Sequence, residues 1–422
     1  MKKILYIVAN PFNFSRISVG GNISSANGVI NGFRSKGFHV DVVTDSRVPT
    51  LDEDCYNLKT IFYPYRFFRK LIPTYKKGLI GRLFNKVDHL SFRFAMSKKV
   101  NQLIKENDYA FCYMRASYNG HAVVKHLNAA NLDLIVEVNK PLSMGPFNNK
   151  DNLNWPTKGE NVLVPLSEIM QYDTAKVITV DSSVRARWIT EFVGKKYERK
   201  IIVNYNGVNT DMFVPAEPNE EIVKDLQLSK QDIVVGMASS FRWYNDIDEL
   251  CLILSKSAKQ SEKLKFLIIV GDKEKENELN KKIDEYKIKE KTIILCQIPF
   301  EKMPLILNCC DILISHFNFH GKWPHNCSIK HLEYLSIGKP TVATNVGEVN
   351  FAIEHGVNGL LCKEGDVEQF SSSIIRMAND FNFRSNLGKK GRIKAINELT
   401  WEANISRILE FFEKNKVKKQ II

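Results

Sequence analysis

The chain has 422 residues, which at roughly 150 residues per domain predicts two or three domains and excludes a single small module. Hydrophobic residues make up 44% and charged residues 25%, as in folded proteins and unlike disordered or collagen-like chains. The net charge of +13 favours an anionic partner, but it does not choose among phosphate ligands, acidic membranes and nucleic acid.

The eight cysteines show no CxxC or Cys/His ligand spacing, so neither a zinc site nor a disulfide framework is expected. The first apolar run, Ile4–Ala9, is too short for the core of a signal peptide, and no stretch approaches the ~20 apolar residues of a membrane span. We therefore expect a protein of the reducing cytoplasm.

The first 45 residues predict a strand, a glycine-containing turn, a helix and a second strand. Ile4–Ala9 has the apolar composition of a buried parallel strand, Gly20 and Gly21 precede a helical pattern, and Phe38–Thr44 is the next strand. This is a βαβ unit, the typical opening of a Rossmann-like domain. Further strands are predicted at Ala110–Tyr113, Leu132–Val138 and Lys176–Val180.

The alternation restarts at Ile201–Val203 and predicts a second parallel sheet. Its other strands are expected at Asp232–Gly236, Phe266–Val270, Thr292–Leu295, Ile312–Ser315 and Thr341–Thr344. The predicted fold class is α/β, with two Rossmann-like doubly wound domains at 1–200 and 201–400. A final amphipathic helix, 401–418, is expected to pack back on the first domain.

One segment, Pro64–Lys99, has ten basic residues and one acidic residue, Asp88, interleaved with many aromatic and aliphatic side chains. This mixture is typical of a surface that docks on anionic lipid head groups. The alternative is a solvated basic face over an ordinary helical core. The first interpretation predicts peripheral attachment to the inner face of the cell membrane.

The most informative window is Asn326–Pro340. A helix that starts near Ser328 and Ile329 would direct unpaired backbone N–H groups at an anion, and Lys330 would add a full positive charge. Glu333, nearly one turn later, lies on the same face and can accept hydrogen bonds from ribose hydroxyls. Without its context, the pair would be an ordinary Lys/Glu pair on a solvated helix.

This window resembles the nucleotide-sugar site of family 4 glycosyltransferases, also called glycosyl transferases group 1. The resemblance extends from the first strand to Trp401 and includes the Gly20–Gly21 loop. Its most specific further signature is Asn206–Pro215, in which Gly207 is expected near the donor. The implied architecture is GT-B, in which two Rossmann-like domains face a cleft.

Two positions depart from the family pattern. His325 stands where a second carboxylate usually contacts the donor sugar, so the sugar bound is left open. Arg242 is the sole cation in the loop after strand Asp232–Gly236, where the family usually places Arg and Lys for the diphosphate. Both remain candidate donor-binding residues, with a structural histidine and a surface charge as the respective alternatives.

Acceptor-binding groups are expected at strand ends of the first domain. Glu137 and Asn139 follow an apolar strand and resemble a Glu-Val-Asn-x-Pro sequence in one branch of the family, and Arg115, Tyr118 and His121 follow another strand. Helix capping and interdomain hydrogen bonding are equally open roles for these side chains.

The resemblance implies a retaining glycosyltransferase that uses a UDP- or GDP-sugar and needs no metal or other cofactor. The acceptor would be a lipid-linked or surface-polysaccharide glycan. The alternatives are a nucleotide-sugar epimerase of the same architecture and a non-catalytic, basic nucleic-acid-binding protein. No nucleic-acid motif is present, and the basic charge is concentrated in one segment, so nucleic acid is not an expected partner.

Overall fold

The structure, a computed structural model, describes residues 1–8, 21–45, 55–58, 79–147, 162–242, 244–319 and 328–417. Side chains are not described at 21–24, 45, 55–58, 79–89, 145–147 and 417. Two candidate site residues, Gly20 and His325, and residues 64–78 of the basic segment therefore lie outside the described residues.

The first sheet has seven parallel strands in the order β3-β2-β1-β4-β5-β6-β7 within the described residues. Most of its strands are apolar runs because helices cover both faces. The strands are β1 Lys2–Val8, β2 Phe38–Asp45, β3 Cys55–Leu58, β4 Tyr109–Arg115, β5 Leu134–Val138, β6 Val177–Val180 and β7 Ile201–Val203.

The helices between these strands are α1 Gly21–Ser35, α2 Leu79–Glu106, α3 His121–Ala129, α4 Leu166–Thr174 and α5 Ser183–Trp188. Shorter helical turns occur at Leu142–Phe147, Ile189–Val193 and Lys195–Lys200. The strand-helix alternation confirms the predicted Rossmann-like pattern of this part.

The second sheet has six parallel strands in the order β10-β9-β8-β11-β12-β13 among the described residues. Its strands are β8 Ile233–Ser239, β9 Leu264–Val270, β10 Thr292–Cys296, β11 Ile312–Ser315, β12 Thr341–Thr344 and β13 Leu360–Cys362. Two such sheets confirm the predicted α/β class with two doubly wound halves.

Helices flank the second sheet on both faces, and each half has its own apolar core. They are α6 Glu220–Asp225, α7 Ile247–Gln260, α8 Lys273–Glu285, α9 Met303–Asn308, α10 Ile329–Ser336, α11 Val349–Ala352, α12 Val367–Asn379, α13 Phe381–Glu398 and α14 Trp401–Val417. Short 3-10 turns lie at Lys289–Lys291 and Phe300–Lys302.

The placement of Ile201–Val203 with the second half is wrong. The segment pairs with β6 and forms the edge strand β7 of the first sheet. A three-residue apolar run contains no information about which sheet it joins, and only its pairing with Ile178–Val180 decides this.

The last helix, α14, returns to the first half of the chain and packs on α1. Ile405, Ile408 and Phe412 are buried in the same cluster as Phe111, and the Phe111 and Phe412 rings lie 5.2 Å apart. A Cβ atom at Gly32 of α1 would lie 2.8 Å from the Trp401 carbonyl oxygen, so a glycine there permits the close helix contact.

The junction segment Asn206–Pro215 is held between α10, α13 and α14. The Val208 N–H donates to the Leu399 carbonyl over 2.8 Å. The Phe213 carbonyl accepts from Ser336 Oγ at 2.7 Å and from the Arg392 guanidinium at 3.0 Å. These bonds fix the path of the chain from the first half to the second.

Candidate active site

Helix α10 begins close to the carboxyl ends of β11 and β12. Ser328 is its N-cap residue in an extended conformation, and the Ser328 side chain makes no capping hydrogen bond. His331 anchors the buried face of the helix, with Nε2 2.8 Å from Ser315 Oγ. The first-turn N–H groups at Ser328, Ile329 and Lys330 therefore form the positive end of a fixed helix, the geometry that binds anions.

Lys330 is half-buried on the first turn of α10, and its ammonium has no hydrogen-bond partner among the described residues. The ammonium lies 4.6 Å from the centroid of the Phe317 ring. Burial lowers the pKa of Lys330 to about 8, although the nearby Glu333 carboxylate opposes the shift. An unpaired, desolvated cation of this kind is stabilised by an anionic ligand.

Glu333 follows one turn later and is also half-buried. Burial raises the pKa of the Glu333 carboxyl to about 7, and the charge of Lys330 opposes this shift. Both residues thus lie on α10 nearly one turn apart, and the charge of each affects the pKa of the other.

Arg242 lies in the turn that follows β8 and is exposed. The preceding residue, Phe241, is buried with a positive φ of 44°. Close by in the sequence, the Tyr244 ring stacks on Phe319 with centroids 5.2 Å apart, and Phe319 belongs to the same aromatic cluster as Phe317. Arg242 therefore lies beside the aromatic cluster that contacts Lys330.

The candidate acceptor residues form one buried network at the ends of β4 and β5. Arg115 Nη2 lies 3.0 Å from Glu137 Oε1, and Arg115 Nε donates to both carboxylate oxygens at 3.2 and 3.1 Å. Asn139 Nδ2 donates to Glu137 Oε1 at 3.0 Å, and Arg115 also donates to Ser25 Oγ at 2.6 Å. The carboxylate raises the pKa of Arg115 and keeps its charge fixed.

A polar pocket opens next to this network, where β5, β6 and β7 end. Its lining includes Glu137, Asn139, Asp181, Asn204 and Asn404. Asn404 was missed by sequence reasoning, although a signal was present: it occupies the apolar stripe of α14 four residues before Ile408. A buried polar residue in such a stripe needs a partner, and Asn404 Nδ2 donates to the Tyr205 carbonyl.

The other candidates are more peripheral or structural. Gly21 is the first residue of α1. Gly207 packs against the start of α14, where a Cβ atom would lie 2.6 Å from the Trp401 backbone nitrogen; the geometry thus gives Gly207 a packing role. Tyr118 is exposed, and His121 Nδ1 lies 2.9 Å from the Tyr118 carbonyl oxygen, within the turn before α3.

Glu348 connects the two halves and was also missed. It follows β12 by four residues, and its carboxylate accepts hydrogen bonds from Ser183 of the first half and from Tyr205, which lies between β7 and the junction segment. A carboxylate placed soon after a buried strand was the available signal, but its partners are 165 and 143 residues away.

Comparison with known proteins agrees with this fold. Residues 218–394 match the family model described as glycosyl transferases group 1. An uncharacterized glycosyltransferase of Methanocaldococcus jannaschii is 23% identical over 56% of this chain and 58% of its own length. The N-acetyl-alpha-D-glucosaminyl L-malate synthase of Bacillus anthracis is 20% identical over 50% of this chain and 53% of its own length. The chain thus spans little more than half the length of these relatives.

Solved structures match over nearly the whole chain. A glycosyltransferase from Rickettsia africae has a TM-score of 0.69 at 17% identity, with 98% of both chains covered. Anabaena HepE in complex with UDP and glucose has a TM-score of 0.68 at 16% identity, covering 98% of this chain and 100% of HepE. The fold is that of GT-B glycosyltransferases.

Proposed function

We propose that this chain is a retaining glycosyltransferase that moves a sugar from a nucleotide diphosphate sugar to a glycan acceptor. The observation that carries the proposal is the Lys330 ammonium on the first turn of α10, which has no hydrogen-bond partner in the described part of the chain, with Glu333 on the same face. A diphosphate would supply the anionic partner that Lys330 lacks, and ribose hydroxyls would donate to Glu333.

The proposed chemistry is electrostatic. As the anomeric bond breaks, the leaving diphosphate gains negative charge, and Lys330, Arg242 and the amides at the start of α10 stabilise it. The Gly20–Gly21 loop would contribute amides from the first half. Because these groups supply the positive charge, no metal is proposed. The transfer is a same-face displacement through an oxocarbenium-like state without a protein nucleophile. The bond between the anomeric carbon and the diphosphate oxygen breaks, the acceptor hydroxyl oxygen bonds to that carbon, and the hydroxyl proton passes to the departing diphosphate.

The donor is proposed to be a UDP- or GDP-sugar. The structural neighbour Anabaena HepE has been solved in complex with UDP and glucose, which supports the nucleotide class. His325 is proposed to contact the sugar in place of a carboxylate, so its replacement by Glu should change the ranking of donor sugars more than nucleotide binding.

The acceptor is proposed to bind over the strand ends that carry Glu137 and Asn139, at the mouth of the polar pocket, which itself has room for about one water molecule. The amide and carboxylate groups there offer hydrogen-bond partners to the hydroxyl groups of an acceptor sugar. Arg115 would act there by holding the Glu137 carboxylate in place.

The decisive experiment offers the purified chain a panel of UDP- and GDP-sugars with and without lipid-linked and polysaccharide acceptors. We expect released nucleotide diphosphate that depends on the acceptor, persists in EDTA and gives a product that retains the anomeric configuration. An acceptor-independent change of the sugar would instead identify an epimerase. Release that requires a divalent cation would contradict the metal-free chemistry.

The proposed site of action is the inner face of an anionic membrane, where a lipid-linked acceptor would be presented. On α2, Leu90 and Phe94 are exposed by 60% and 72%, and Lys98 follows at the same spacing of four residues. Phe92, one of the aromatic side chains of the segment Pro64–Lys99 that were expected on this surface, is instead fully buried in the core. Within the described residues, no helix is long and apolar enough to cross a membrane.

Vesicle co-sedimentation tests this docking. We expect binding to anionic vesicles that falls with salt and with Phe94→Ser or Lys98→Glu, because both the apolar contact and the charge contribute. Ile393→Ser, at an exposed apolar side chain of α13 in the second half, is the matched control. Equal binding to neutral and anionic vesicles would refute the docking surface.

A further inference from the structure

We infer that Glu348 is a positioning residue that clasps the two halves of the active site together. The inference rests on the proposed function, because it concerns the placement of the acceptor-side strand ends relative to α10. Glu348 belongs to the second half, at the carboxyl side of β12, and is 8% exposed. It is not among the groups proposed to contact either substrate.

The first contact of Glu348 is with α5 of the first half. Glu348 Oε1 accepts from the Ser183 backbone N–H at 2.8 Å and from Ser183 Oγ at 2.5 Å. Ser183 is the first residue of α5, where backbone N–H groups have no partner within the helix. The carboxylate from the second half therefore satisfies a donor that α5 cannot satisfy itself.

The second contact of Glu348 is with Tyr205, which lies between β7 and the junction segment. The Tyr205 hydroxyl donates to Glu348 Oε2, and the Tyr205 ring stacks on Phe351 with centroids 3.9 Å apart. Phe351 lies in α11, the helix that starts directly after Glu348. Both the hydroxyl and the ring of Tyr205 thus contact the same short segment of the second half.

The charge of Glu348 is also matched. Arg185 of α5 is 6% exposed; burial lowers the pKa of its guanidinium to about 9, and the charge of Glu348 opposes that shift. Asp181 pairs with the same guanidinium. Three hydrogen-bond donors and a nearby cation compensate the buried Glu348 carboxylate for the water that it loses in this arrangement.

The clasp joins the two candidate substrate sites. Ser183 follows β6 on the acceptor side, only two residues after Asp181 of the polar pocket. Glu348 follows β12, the strand that comes directly after α10 with Lys330 and Glu333. Domains in one chain move relative to each other unless their interface holds them. Loss of the clasp should therefore misplace the first half, with its acceptor residues, relative to the donor, while Lys330 and Glu333 of α10 keep their places in the second half.

The first test is kinetic and uses the full chain with a UDP-sugar that it turns over. We expect Glu348→Ala to lower kcat at least tenfold while the donor KM changes less than threefold, with Glu348→Gln intermediate because it keeps an acceptor oxygen. Combining Glu348→Ala with Tyr205→Phe should add no further loss, because both changes remove the same bond. A KM effect alone, or fully multiplicative losses, would overturn the inference.

The second test needs no activity and separates this inference from the proposed function. Amide hydrogen exchange of the segment 181–188 should rise at least tenfold in Glu348→Ala, because the Ser183 N–H loses its partner. Glu354→Ala, at an exposed carboxylate after α11, is the matched control and should change neither readout. Unchanged exchange in a folded Glu348→Ala variant would overturn the clasp, whether or not the wild type transfers sugar.

Discussion

Each sheet has a cation and a carboxylate near the ends of its strands, but the two pairs differ in their hydrogen bonding. In the first half, Arg115 and Glu137 are within hydrogen-bond distance, and Ser25 and Asn139 complete the network. In the second half, the Lys330 ammonium has no hydrogen-bond partner among the described residues and rests over the Phe317 ring. The Arg115/Glu137 pair is thus hydrogen-bonded within the protein, whereas the Lys330 ammonium has no such bond in the part of the chain that the structure describes.

The pKa directions express the same contrast. Burial acts to lower the pKa of Arg115, but the charge and hydrogen bond of Glu137, together with Tyr6 and Tyr113, more than offset it, and the pKa is raised. At Lys330, burial outweighs Glu333 and lowers the pKa. A hydrogen-bonded network stabilises the ligand-free protein and holds its side chains in place. A cation without a hydrogen-bond partner can form its charge-assisted hydrogen bonds with a ligand instead. We therefore interpret Arg115 and Glu137 as a structural pair and Lys330 as a ligand-binding group.

The largest effect should come from breaking the satisfied pair. We expect Arg115→Met to lower the free energy of unfolding by about 3–5 kcal/mol, because it leaves the buried Glu137 carboxylate uncompensated. Urea unfolding measures this loss. The double variant Arg115→Met/Glu137→Leu is the control and should lose less than the single variant. Equal stability of wild type and Arg115→Met would show that the first pair is no scaffold.

Replacing Lys330 should weaken ligand binding without lowering the free energy of unfolding. We expect Lys330→Met to weaken donor binding by about 1.5–3 kcal/mol, the range for hydrogen bonds to charged groups, while the free energy of unfolding stays equal or rises. Calorimetric titration with the donor and urea unfolding measure the two quantities.

The matched control for that prediction is Lys339→Met. The Lys339 ammonium is also half-buried but donates to the Asn308 carbonyl at 2.9 Å. We therefore expect Lys339→Met to lower the free energy of unfolding and to leave donor affinity unchanged. A Lys330→Met variant that is destabilised but binds donor normally would reverse the comparison between the two halves.

The parts of this fold that sequence reasoning predicted are those encoded by neighbouring residues. Apolar runs such as Ile4–Val8 identify buried strands, and the spacing of Lys330 and Glu333 identifies one helix face. The parts that it missed depend on distant partners. β7 joins the first sheet only through β6, and Phe92 is buried only because α2 turns that face to the core.

The site shows the same division. The ion pair of Arg115 and Glu137 crosses two adjacent strands and spans 22 residues, so strand order was needed to recognise it. Glu348 acts on Ser183, 165 residues earlier in the chain. Local patterns predict which residues can do chemistry, but only the packed structure shows whether each is already paired within the protein or left for a ligand.

The smallest expected effect is a pH dependence of donor binding, which should arise from Lys330 and Glu333 and not from Arg115 and Glu137. Because the pKa of Lys330 is lowered to about 8, the empty protein loses that proton as the pH rises through 8. The diphosphate of a nucleotide sugar then meets a neutral amine, and we expect donor affinity to fall about tenfold between pH 7 and pH 9, or about 1.4 kcal/mol. Below pH 7, protonation of Glu333, whose pKa is raised to about 7, should weaken binding of the ribose.

The stability of the empty protein should move in the opposite direction on the alkaline side. A lysine whose folded pKa is lowered binds fewer protons in the folded state than in the unfolded state, so this group's contribution to stability rises between pH 8 and the unfolded pKa near 10.5. Lys330→Arg is the control for donor binding, because a guanidinium stays charged throughout and should abolish the alkaline fall in affinity. A wild-type affinity that is equal at pH 7 and pH 9 would mean that Lys330 is not the group that meets the diphosphate.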